Sequence, residues 1–320
     1  MQYFDKQTVA ANLAWPNLIE ALKEMFVTGC EAPMRHHHNM DIPGQQTATM
    51  LIMPAWLPGK YSGLKLVNVY PDNSMRKLPT IMGTYLLMDG ASGAPIAAMD
   101  AGELTARRTA AASALAARYL SRKDSGKLLI VGSGRLAGCL GLAHGTIRDL
   151  EEVRIWARNP DKAEQVAGSY LQAGIPCTVA ENLEEASAWA DMISCATLST
   201  APLILGKWLR PGIHVDLIGA FKPTMRETDD EAIVRSRVFV DTRAGALAEA
   251  GDLLQPMEKK LFAAADIVAE LSELASGTHP GRKTDQEITL FKSVGASLED
   301  LAAAVCCYET WQKIHKTEEY

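Results

Sequence analysis

Two hydrophobic patterns follow one another along the chain, and the clearer one occupies its middle part. From Lys127 onward, short apolar runs alternate with segments of helical periodicity, and the runs lie at 128–131, 153–156, 193–195, 213–218 and 238–240. Strands that alternate with helices form a parallel sheet with helices on both faces. We therefore predict an α/β fold built on a doubly wound parallel sheet.

The residues before and after this middle part follow a different pattern. Residues 1–121 predict a helix at 17–28, short extended runs at 47–53, 63–69 and 80–88, and an alanine-rich helix at 105–120. The charged connector SRKDSG at 121–126 follows, and the segment 289–315 predicts one or two helices that pack back on the first part. We expect 1–121 plus 292–320 to form a mixed α+β substrate and dimerisation domain, and 122–291 to form the parallel-sheet domain.

A glycine-rich turn gives the parallel-sheet domain a candidate chemistry. The segment KLLIVGSGRLAG at 127–138 carries G-x-G-x-x-A directly after an apolar strand. Gly132 makes the tight turn, Gly134 lets the backbone approach a pyrophosphate, and Ala137 lets the helix pack closely on the strand. The helix N-terminus attracts phosphate groups. The context predicts a Rossmann-type domain that binds a dinucleotide, and a plain strand-to-helix turn is the alternative.

The end of the second strand indicates which dinucleotide is preferred. An acid at this position accepts hydrogen bonds from the ribose of NAD, whereas a basic residue accommodates the 2′-phosphate of NADP. In VRIWARNP at 153–160, Arg158 and Asn159 stand where the acid would be. We predict that NADPH is preferred and that NADH is possible, with Arg158 as a solvated loop residue being the alternative.

Length, charge and cysteine content exclude several classes of protein. The 320 residues fit two domains, and a net charge of -6 without a basic stripe argues against a nucleic-acid partner. No apolar run reaches the roughly 18 residues of a membrane span, and MQYFDK at the start does not resemble a signal peptide. The six cysteines are typical of reduced thiols. We expect a cytoplasmic protein with no membrane partner.

The stretch APMRHHHNM at 32–40 places an arginine beside three consecutive histidines. In an extended strand, His36 and His38 share one face, while Arg35 and His37 share the other. Two histidines do not complete a zinc site, and no H-E-x-x-H or C-x-x-C spacing supplies the missing ligands. We predict no metal, which leaves a solvated strand end or a site built around Arg35.

Several segments together resemble the ornithine cyclodeaminase/mu-crystallin family. The most specific is T-x-x-R-T-A-A at 105–111, ahead of the G-x-G turn, and the resemblance runs from near residue 30 to near residue 305. The other segments are MP at 53–54, GLKLVN at 63–68, LPT at 78–80, GIHVDLIGA at 212–220, GD at 251–252 and TLFKSVG at 289–295. The resemblance implies a homodimer whose first domain pairs strands with its partner, and a cleft between domains where a small α-imino or α-amino acid meets the nicotinamide.

The resemblance also implies roles for individual residues. It assigns the substrate carboxylate to Arg35, Lys65 and Arg108, and guanidinium and ammonium groups suit such a partner. Taken alone, Lys65 would be an edge-strand charge and Arg108 a helix surface charge. Val294 falls on a substrate-lining position. Together with the glycine turn and Asn159, the implied cofactor contacts are Thr80, Arg108, Arg135, Leu136, Arg158, Thr197, Asp216, Ile218 and Ser293, although Thr197 also suits a helix N-cap.

Two departures from the family pattern bear on the reaction. Ornithine cyclodeaminases have an aspartate where this chain has Phe221, and a glutamate where it has Leu51. Deamination and cyclisation need such carboxylates to move protons. We therefore expect reduction of a preformed cyclic ketimine, Δ1-pyrroline-2-carboxylate or Δ1-piperideine-2-carboxylate, to L-proline or L-pipecolate.

In that reaction Arg35, Lys65 and Arg108 orient the substrate carboxylate, and Asp216 or a bound water donates the proton, unless Asp216 only holds the cofactor amide. The alternatives are an ornithine cyclodeaminase, an alanine dehydrogenase-like oxidoreductase, and a non-catalytic binding protein like mu-crystallin.

Overall fold

The computed structural model describes residues 1–316, which fall into two compact units. The first unit comprises Met1–Arg108 together with the chain from Ala296 onward, and the second comprises Thr109–Gly295. The sequence placed the boundaries at 121–122 and 291–292. The units of the structure divide at 108–109 and 295–296, so residues 109–121 and 292–295 lie in the second unit.

The first unit is built around a six-stranded sheet in which β2 to β6 form an antiparallel meander. Its spatial order is β1-β6-β5-β4-β3-β2, and β1 pairs in parallel with β6. The strands are β1 (Gln2–Phe4), β2 (His36–Met40), β3 (Ala48–Leu57), β4 (Tyr61–Val69), β5 (Ile81–Asp89) and β6 (Pro95–Asp100).

Helices cover this sheet and supply the other half of its core. They are α1 (Lys6–Ala11), α2 (Trp15–Thr28), the first part of α3 (Ala101–Leu120), and α11 (Ser297–Lys316). Helix α2 begins with Pro16 in its first turn and ends at Gly29, whose positive φ of 74° suits a glycine. It buries Leu18, Leu22 and Phe26, which recur at helical spacing on one face.

The second unit contains an eight-stranded, entirely parallel sheet. Its order is β13-β12-β14-β11-β10-β7-β8-β9. The strands are β7 (Lys127–Val131), β8 (Glu152–Trp156), β9 (Cys177–Val179), β10 (Met192–Cys195), β11 (His214–Leu217), β12 (Arg237–Val240), β13 (Ile267–Glu270) and β14 (Thr289–Lys292). Its helices are the rest of α3, then α4 (Ala137–His144), α5 (Pro160–Gln172), α6 (Leu183–Trp189), α7 (Asp230–Arg235), α8 (Arg243–Glu249), α9 (Gly251–Glu258) and α10 (Leu271–Ala275).

The strand order places a topological switch point in the second unit. The chain runs from β7 outward to β8 and β9, then returns to β10 on the other side of β7. In open parallel sheets, ligands bind at the carboxyl ends of the strands beside such a switch. The turn after β7 and the loops after β10 and β11 therefore form the candidate ligand edge of this sheet.

The segment after Thr289 corrects one sequence prediction. Residues 289–315 were expected to be helical, but Thr289–Lys292 form β14 between β11 and β12, and helix α11 starts only at Ser297. A run of four residues, all of them buried, is too short for the hydrophobic pattern to distinguish a strand from a helix.

Candidate active site

The glycine-rich turn after β7 has the geometry that a dinucleotide requires. Gly132 has φ 129°, and a Cβ built there would lie 2.8 Å from the backbone oxygen of Ala196. At Gly134 nothing lies within 4 Å of a built Cβ, so the backbone there is open to a ligand. Leu136 precedes α4 and has no side-chain oxygen to accept from the first N–H groups of this helix, although Ala137 N and Cys139 N donate to the backbone oxygens of Gly134 and Leu136. These residues fit a pyrophosphate.

The end of β8 carries the residues expected to distinguish the two dinucleotides. Arg158 is exposed, and so is Arg135 in the turn after β7. Asn159 caps α5, because its Oδ1 accepts a hydrogen bond from the Lys162 backbone N at 3.1 Å. The strand end therefore presents an exposed guanidinium and no carboxylate in the position expected of an NAD-specific site.

Lys65 and Arg108 form a buried cluster with two acids that the sequence analysis did not single out. Lys65 Nζ lies 2.6 Å from Asp300 Oδ2, and Arg108 donates from Nε to Asp300 Oδ1 at 2.9 Å. Arg108 also donates from Nη1 to Glu299 Oε2 at 2.7 Å. All four side chains are at most 6% exposed. Lys65, Arg108, Glu299 and Asp300 are called the Lys65–Arg108 cluster below.

Burial disfavours the charge of both cations in this cluster, but their pKa values shift in opposite directions. Burial lowers the pKa of Lys65 to about 8, although the charge of Asp300 opposes the shift. Burial also disfavours a charged Arg108, but Asp300 and Glu299 together hold its pKa above the usual range. Arg108 is thus a fixed charge, while Lys65 can change its protonation state near neutral pH.

Arg35 and Tyr85 adjoin the cluster. Arg35 is half-buried directly before β2, and its charge contributes to the lowered pKa of Lys65. Tyr85 lies opposite Lys65 across the β4–β5 ladder and is 1% exposed. Its hydroxyl has no hydrogen-bond partner within residues 1–316. A Cβ at Gly63 would overlap the Tyr85 hydroxyl, which explains the glycine in GLKLVN.

Asp216 is enclosed inside the second unit. Its carboxylate accepts a hydrogen bond from Ser113 Oγ at 2.5 Å, and Nε2 of His144 and His214 lie 3.0 and 3.2 Å away. Burial acts against ionisation, yet the charge of His214 and the hydrogen bonds from both histidines hold the pKa of Asp216 well below its usual range. An acid that is ionised at neutral pH has no proton to give, so this environment argues against Asp216 as the proton donor.

The remaining predicted cofactor and substrate residues of the second unit lie in loops at the carboxyl ends of β10, β11 and β14. Thr197 donates from its hydroxyl to Glu227 Oε1 at 2.8 Å, and no helix follows it, so it is not an N-cap. Ser293 donates from Oγ to Asp241 Oδ2 at 2.8 Å. Val294 and Ile218 are buried.

In the first unit, Thr80 is half-buried before β5, and its carbonyl accepts from the Tyr70 backbone N at 2.8 Å. Leu51 and Phe221, which replace the two acids of cyclodeaminases, lie in different units. Leu51 is half-buried in β3, and Phe221 packs on the apolar core of the parallel-sheet unit. Neither position carries a carboxylate.

The acids that the sequence analysis missed all lie at positions in the sequence where acidic side chains are usually exposed to solvent. Glu299 and Asp300 occupy the first turn of α11, where acids normally interact with the helix dipole. The only signal of their burial is the apolar run LAAAV that follows directly at 301–305. Glu227 and Asp241 lie in loops, where periodicity gives no information.

The histidines of β2 are exposed along an edge strand. The rings of His36 and His38 lie 6.4 Å apart, in agreement with their expected common face. Within the described residues, no group of three or more histidine, cysteine, aspartate or glutamate side chains is arranged to hold a metal ion. None of the helices described is both long and apolar enough to cross a membrane.

The comparison with known proteins defines the family. The model of the ornithine cyclodeaminase/mu-crystallin family matches residues 5–315, and the chain belongs to this family. The predicted family and the α/β fold are thereby confirmed.

Three similar proteins are informative about the branch. The Δ1-pyrroline-2-carboxylate reductase of Paracoccus denitrificans is 35% identical over 95% of both chains. The structure of the Δ1-pyrroline-2-carboxylate reductase of Thermococcus litoralis, in complex with NADH and L-proline, has a TM-score of 0.91 at 31% identity, covering 99% of this chain and 98% of that one. An archaeal alanine dehydrogenase dimer with bound NAD has a TM-score of 0.89 at 29% identity, covering 98% and 97%.

Proposed function

We propose that this chain is an NAD(P)H-dependent ketimine reductase that converts Δ1-pyrroline-2-carboxylate to L-proline, with Δ1-piperideine-2-carboxylate and L-pipecolate as a second substrate and product. The Lys65–Arg108 cluster is the observation that carries the proposal, since its two buried cations, although paired with Glu299 and Asp300, keep further N–H donors that can bind a carboxylate. The similarity to named Δ1-pyrroline-2-carboxylate reductases supports the same reaction. In this proposal the first unit binds the imino acid and the second unit binds the cofactor.

The substrate carboxylate is bound mainly by Arg108 and Lys65, with Arg35 adding a further positive charge. Glu299 accepts one hydrogen bond from Nη1 of Arg108, and Asp300 accepts the hydrogen bond from Nε. A guanidinium has five N–H donors, so a carboxylate can still approach end-on to Nη1 and Nη2. The buried hydroxyl of Tyr85 is a further donor for the imino acid.

Reduction of the C=N bond adds a hydride to C2 and a proton to nitrogen. The reduced nicotinamide, when bound, supplies the hydride. We assign the proton to Lys65, because its pKa of about 8 keeps the ammonium mostly protonated at neutral pH yet makes it a usable acid. Asp300, 2.6 Å away, holds the Lys65 ammonium in place before transfer.

Replacing Arg158 with aspartate is expected to raise the KM for NADPH at least tenfold, an effect on the order of 1.4 kcal/mol. The new carboxylate would repel the 2′-phosphate and accept hydrogen bonds from the ribose of NADH, so the KM for NADH should stay the same or fall. Steady-state kinetics with both cofactors measure the effect. An unchanged preference for NADPH would place the 2′-phosphate away from Arg158.

The unmodified protein is expected to release no ammonia from L-ornithine, because Leu51 and Phe221 supply no carboxylates for deamination. Glu299 and Asp300 do not replace them, since both are paired with Arg108. The double variant Leu51→Glu, Phe221→Asp should gain at most a trace of this activity. An ammonia assay decides the matter, and release at rates comparable to imine reduction would contradict the argument from the missing acids.

Amino-acid dehydrogenation is the second candidate function, favoured by the similarity to the archaeal alanine dehydrogenase. A panel of substrates separates the possibilities. NAD(P)H oxidation with either cyclic imine supports the reductase, whereas oxidation only with pyruvate and ammonia supports the dehydrogenase. Tight NADPH binding without turnover of any imine would indicate a binding protein like mu-crystallin.

We also propose that the chain is a homodimer. The archaeal alanine dehydrogenase with the same fold is described as a dimer. In the first unit, large apolar side chains are exposed at Met75, Leu78 and Ile81. Such a group of apolar side chains is typical of a surface that another chain covers.

A further inference from the structure

The loop after β11 contains a buried acid that the proposed reaction does not use. Glu227 lies in MRETDD at 225–230, a segment that resembles a solvated charge run. Its side chain is nevertheless completely buried, although the residue lies in the loop that connects β11 with α7. A carboxylate is rarely buried unless it is paired or hydrogen-bonded, so the partners of Glu227 indicate what it does.

The Glu227 carboxylate joins two loops at the ligand edge of the parallel sheet. Its Oε1 accepts hydrogen bonds from the backbone N and the hydroxyl of Thr197, at 2.7 and 2.8 Å, in the loop after β10. Its Oε2 accepts from the backbone N of Gly219 at 3.0 Å and of Ala220 at 3.2 Å, in the loop after β11. One side chain therefore fixes the position of both loops.

The two loops also meet directly through their backbones. A Cβ at Gly219 would overlap the backbone N and O of Thr197, so only glycine allows this approach. Backbone hydrogen bonds also join the two loops, from Ile218 N to Cys195 O at 3.0 Å and from Arg226 N to Ser199 O at 2.9 Å, and the Glu227 carboxylate adds four side-chain hydrogen bonds to the same loops.

Glu227 is itself held in place by a buried ion pair. Asp252 Oδ1 accepts from the backbone N of Glu227 at 2.7 Å and of Thr228 at 3.0 Å. Asp252 Oδ2 lies 3.0 Å from Lys292 Nζ, at the end of β14, and both side chains are fully buried. A series of contacts therefore connects Lys292 on β14 through Asp252 to Glu227, and Glu227 contacts both loops.

Burial and two neighbouring charges act on the ionisation of Glu227. Burial raises its pKa to about 7, with Lys292 lowering it and Asp252 raising it. The four hydrogen bonds suit a carboxylate, which only accepts, and a protonated Glu227 could donate only to the Thr197 hydroxyl, the one partner that can also accept. Burial raises the pKa of the Cys195 thiol at the end of β10, and the charge of Glu227 adds to the shift.

We propose that Glu227 is a positioning residue for the nicotinamide cofactor, because it holds the loops after β10 and β11 at the edge where the cofactor binds. Thr197 and Ile218, both candidate cofactor contacts, lie in these loops. The inference rests on the proposed function, since it presupposes a nicotinamide cofactor.

The variant Glu227→Gln tests the inference. An amide keeps the shape but has one acceptor oxygen, so its NH2 group would face either the N–H groups of Gly219 and Ala220 or the N–H and hydroxyl of Thr197, and at least one backbone N–H loses its acceptor. Leaving this donor unpaired should weaken NADH and NADPH binding about tenfold or more. Fluorescence titration of the cofactor measures this Kd without turnover. The KM for the imine should stay within about twofold, because the Lys65–Arg108 cluster belongs to the other unit.

A matched control is Glu287→Gln in the same unit. Glu287 pairs with Arg237 at 2.9 Å and accepts from the Lys283 backbone N at 2.8 Å, but it precedes β14, at the opposite edge of the sheet. The Glu287→Gln variant should have a lower thermal stability than the wild type and an unchanged affinity for the cofactor. Should Glu227→Gln fail to fold, Glu227→Asp decides: its charge remains but its reach is shorter, so its cofactor Kd should still rise severalfold.

The outcomes separate the inference from the function on which it rests. Equal cofactor affinity in the wild type and in a folded Glu227 variant would overturn the positioning role and leave the reductase proposal intact. A similar loss of affinity in Glu287→Gln would also overturn it, since the effect would then be a general loss of stability. A wild-type protein that binds neither NADH nor NADPH would overturn both.

Discussion

Replacing Arg108 with alanine is expected to impair both activity and stability, with a fall in kcat/KM for the imine of about ten- to a hundredfold or more. The variant removes a charge-assisted contact to the substrate carboxylate. It also leaves Glu299 and Asp300, both fully buried, without their guanidinium partner. Breaking a buried ion pair in this way typically costs about 3–5 kcal/mol of the free energy of unfolding.

Two further variants separate the catalytic from the structural effect of Arg108. Arg108→Lys keeps one charge but replaces five N–H donors in a planar fork with three on a single nitrogen, so it should recover stability more than kcat/KM. Arg107→Ala is the control on the same helix, because Arg107 pairs with Glu103 at 2.9 Å and belongs to no proposed site. Its imine kinetics should be unchanged. Steady-state kinetics and thermal unfolding measure both effects, and normal kinetics in Arg108→Ala would refute the proposed carboxylate site.

Replacing Lys65 with arginine is expected to lower kcat by about 10²–10⁴-fold, the usual contribution of a positioned general acid. Arginine keeps the positive charge beside Asp300 but does not release a proton near neutral pH. In the wild type the protonated amine is the active form, so kcat should fall as the pH rises above about 8, the pKa of Lys65. This alkaline decline should disappear in Lys65→Arg.

The pH profile of the rate distinguishes a proton donor from a simple carboxylate ligand. The exposed Lys60 at the β3–β4 turn provides the control, since Lys60→Arg should keep both the rate and the alkaline decline. A Lys65→Arg enzyme with near-normal kcat and the same decline above pH 8 would show that Lys65 serves only as a positive charge.

The sequence predicted those parts of the molecule whose signals are local. The strands of the parallel sheet are apolar runs between helices, and the Gly132–Gly134 turn needs only its neighbours to be recognised. The antiparallel sheet of the first unit was seen only as separate extended runs, since pairing depends on residues far apart in the sequence. Strand β14 was missed because a run of four buried residues is too short to show the hydrophobic period of a strand or of a helix.

The candidate site was predicted only on its basic side. Lys65 and Arg108 were found through the family resemblance, which compares segments one at a time. Their partner Asp300 is 192 residues from Arg108 in the chain, and neither periodicity nor a motif connects such distant positions. Asp216 was predicted correctly as part of β11, but its enclosure by His144 and His214 depends on packing that the pattern does not show.

The most direct test of the central claim is a product-coupled assay of imine reduction. Purified, tag-free protein would be incubated with Δ1-pyrroline-2-carboxylate and NADPH or NADH, and cofactor oxidation and L-proline would be measured in the same sample. The reductase proposal predicts equal amounts of oxidised cofactor and L-proline, with Δ1-piperideine-2-carboxylate giving L-pipecolate in the same ratio. Bound cofactor that is not oxidised in the presence of either imine would contradict it.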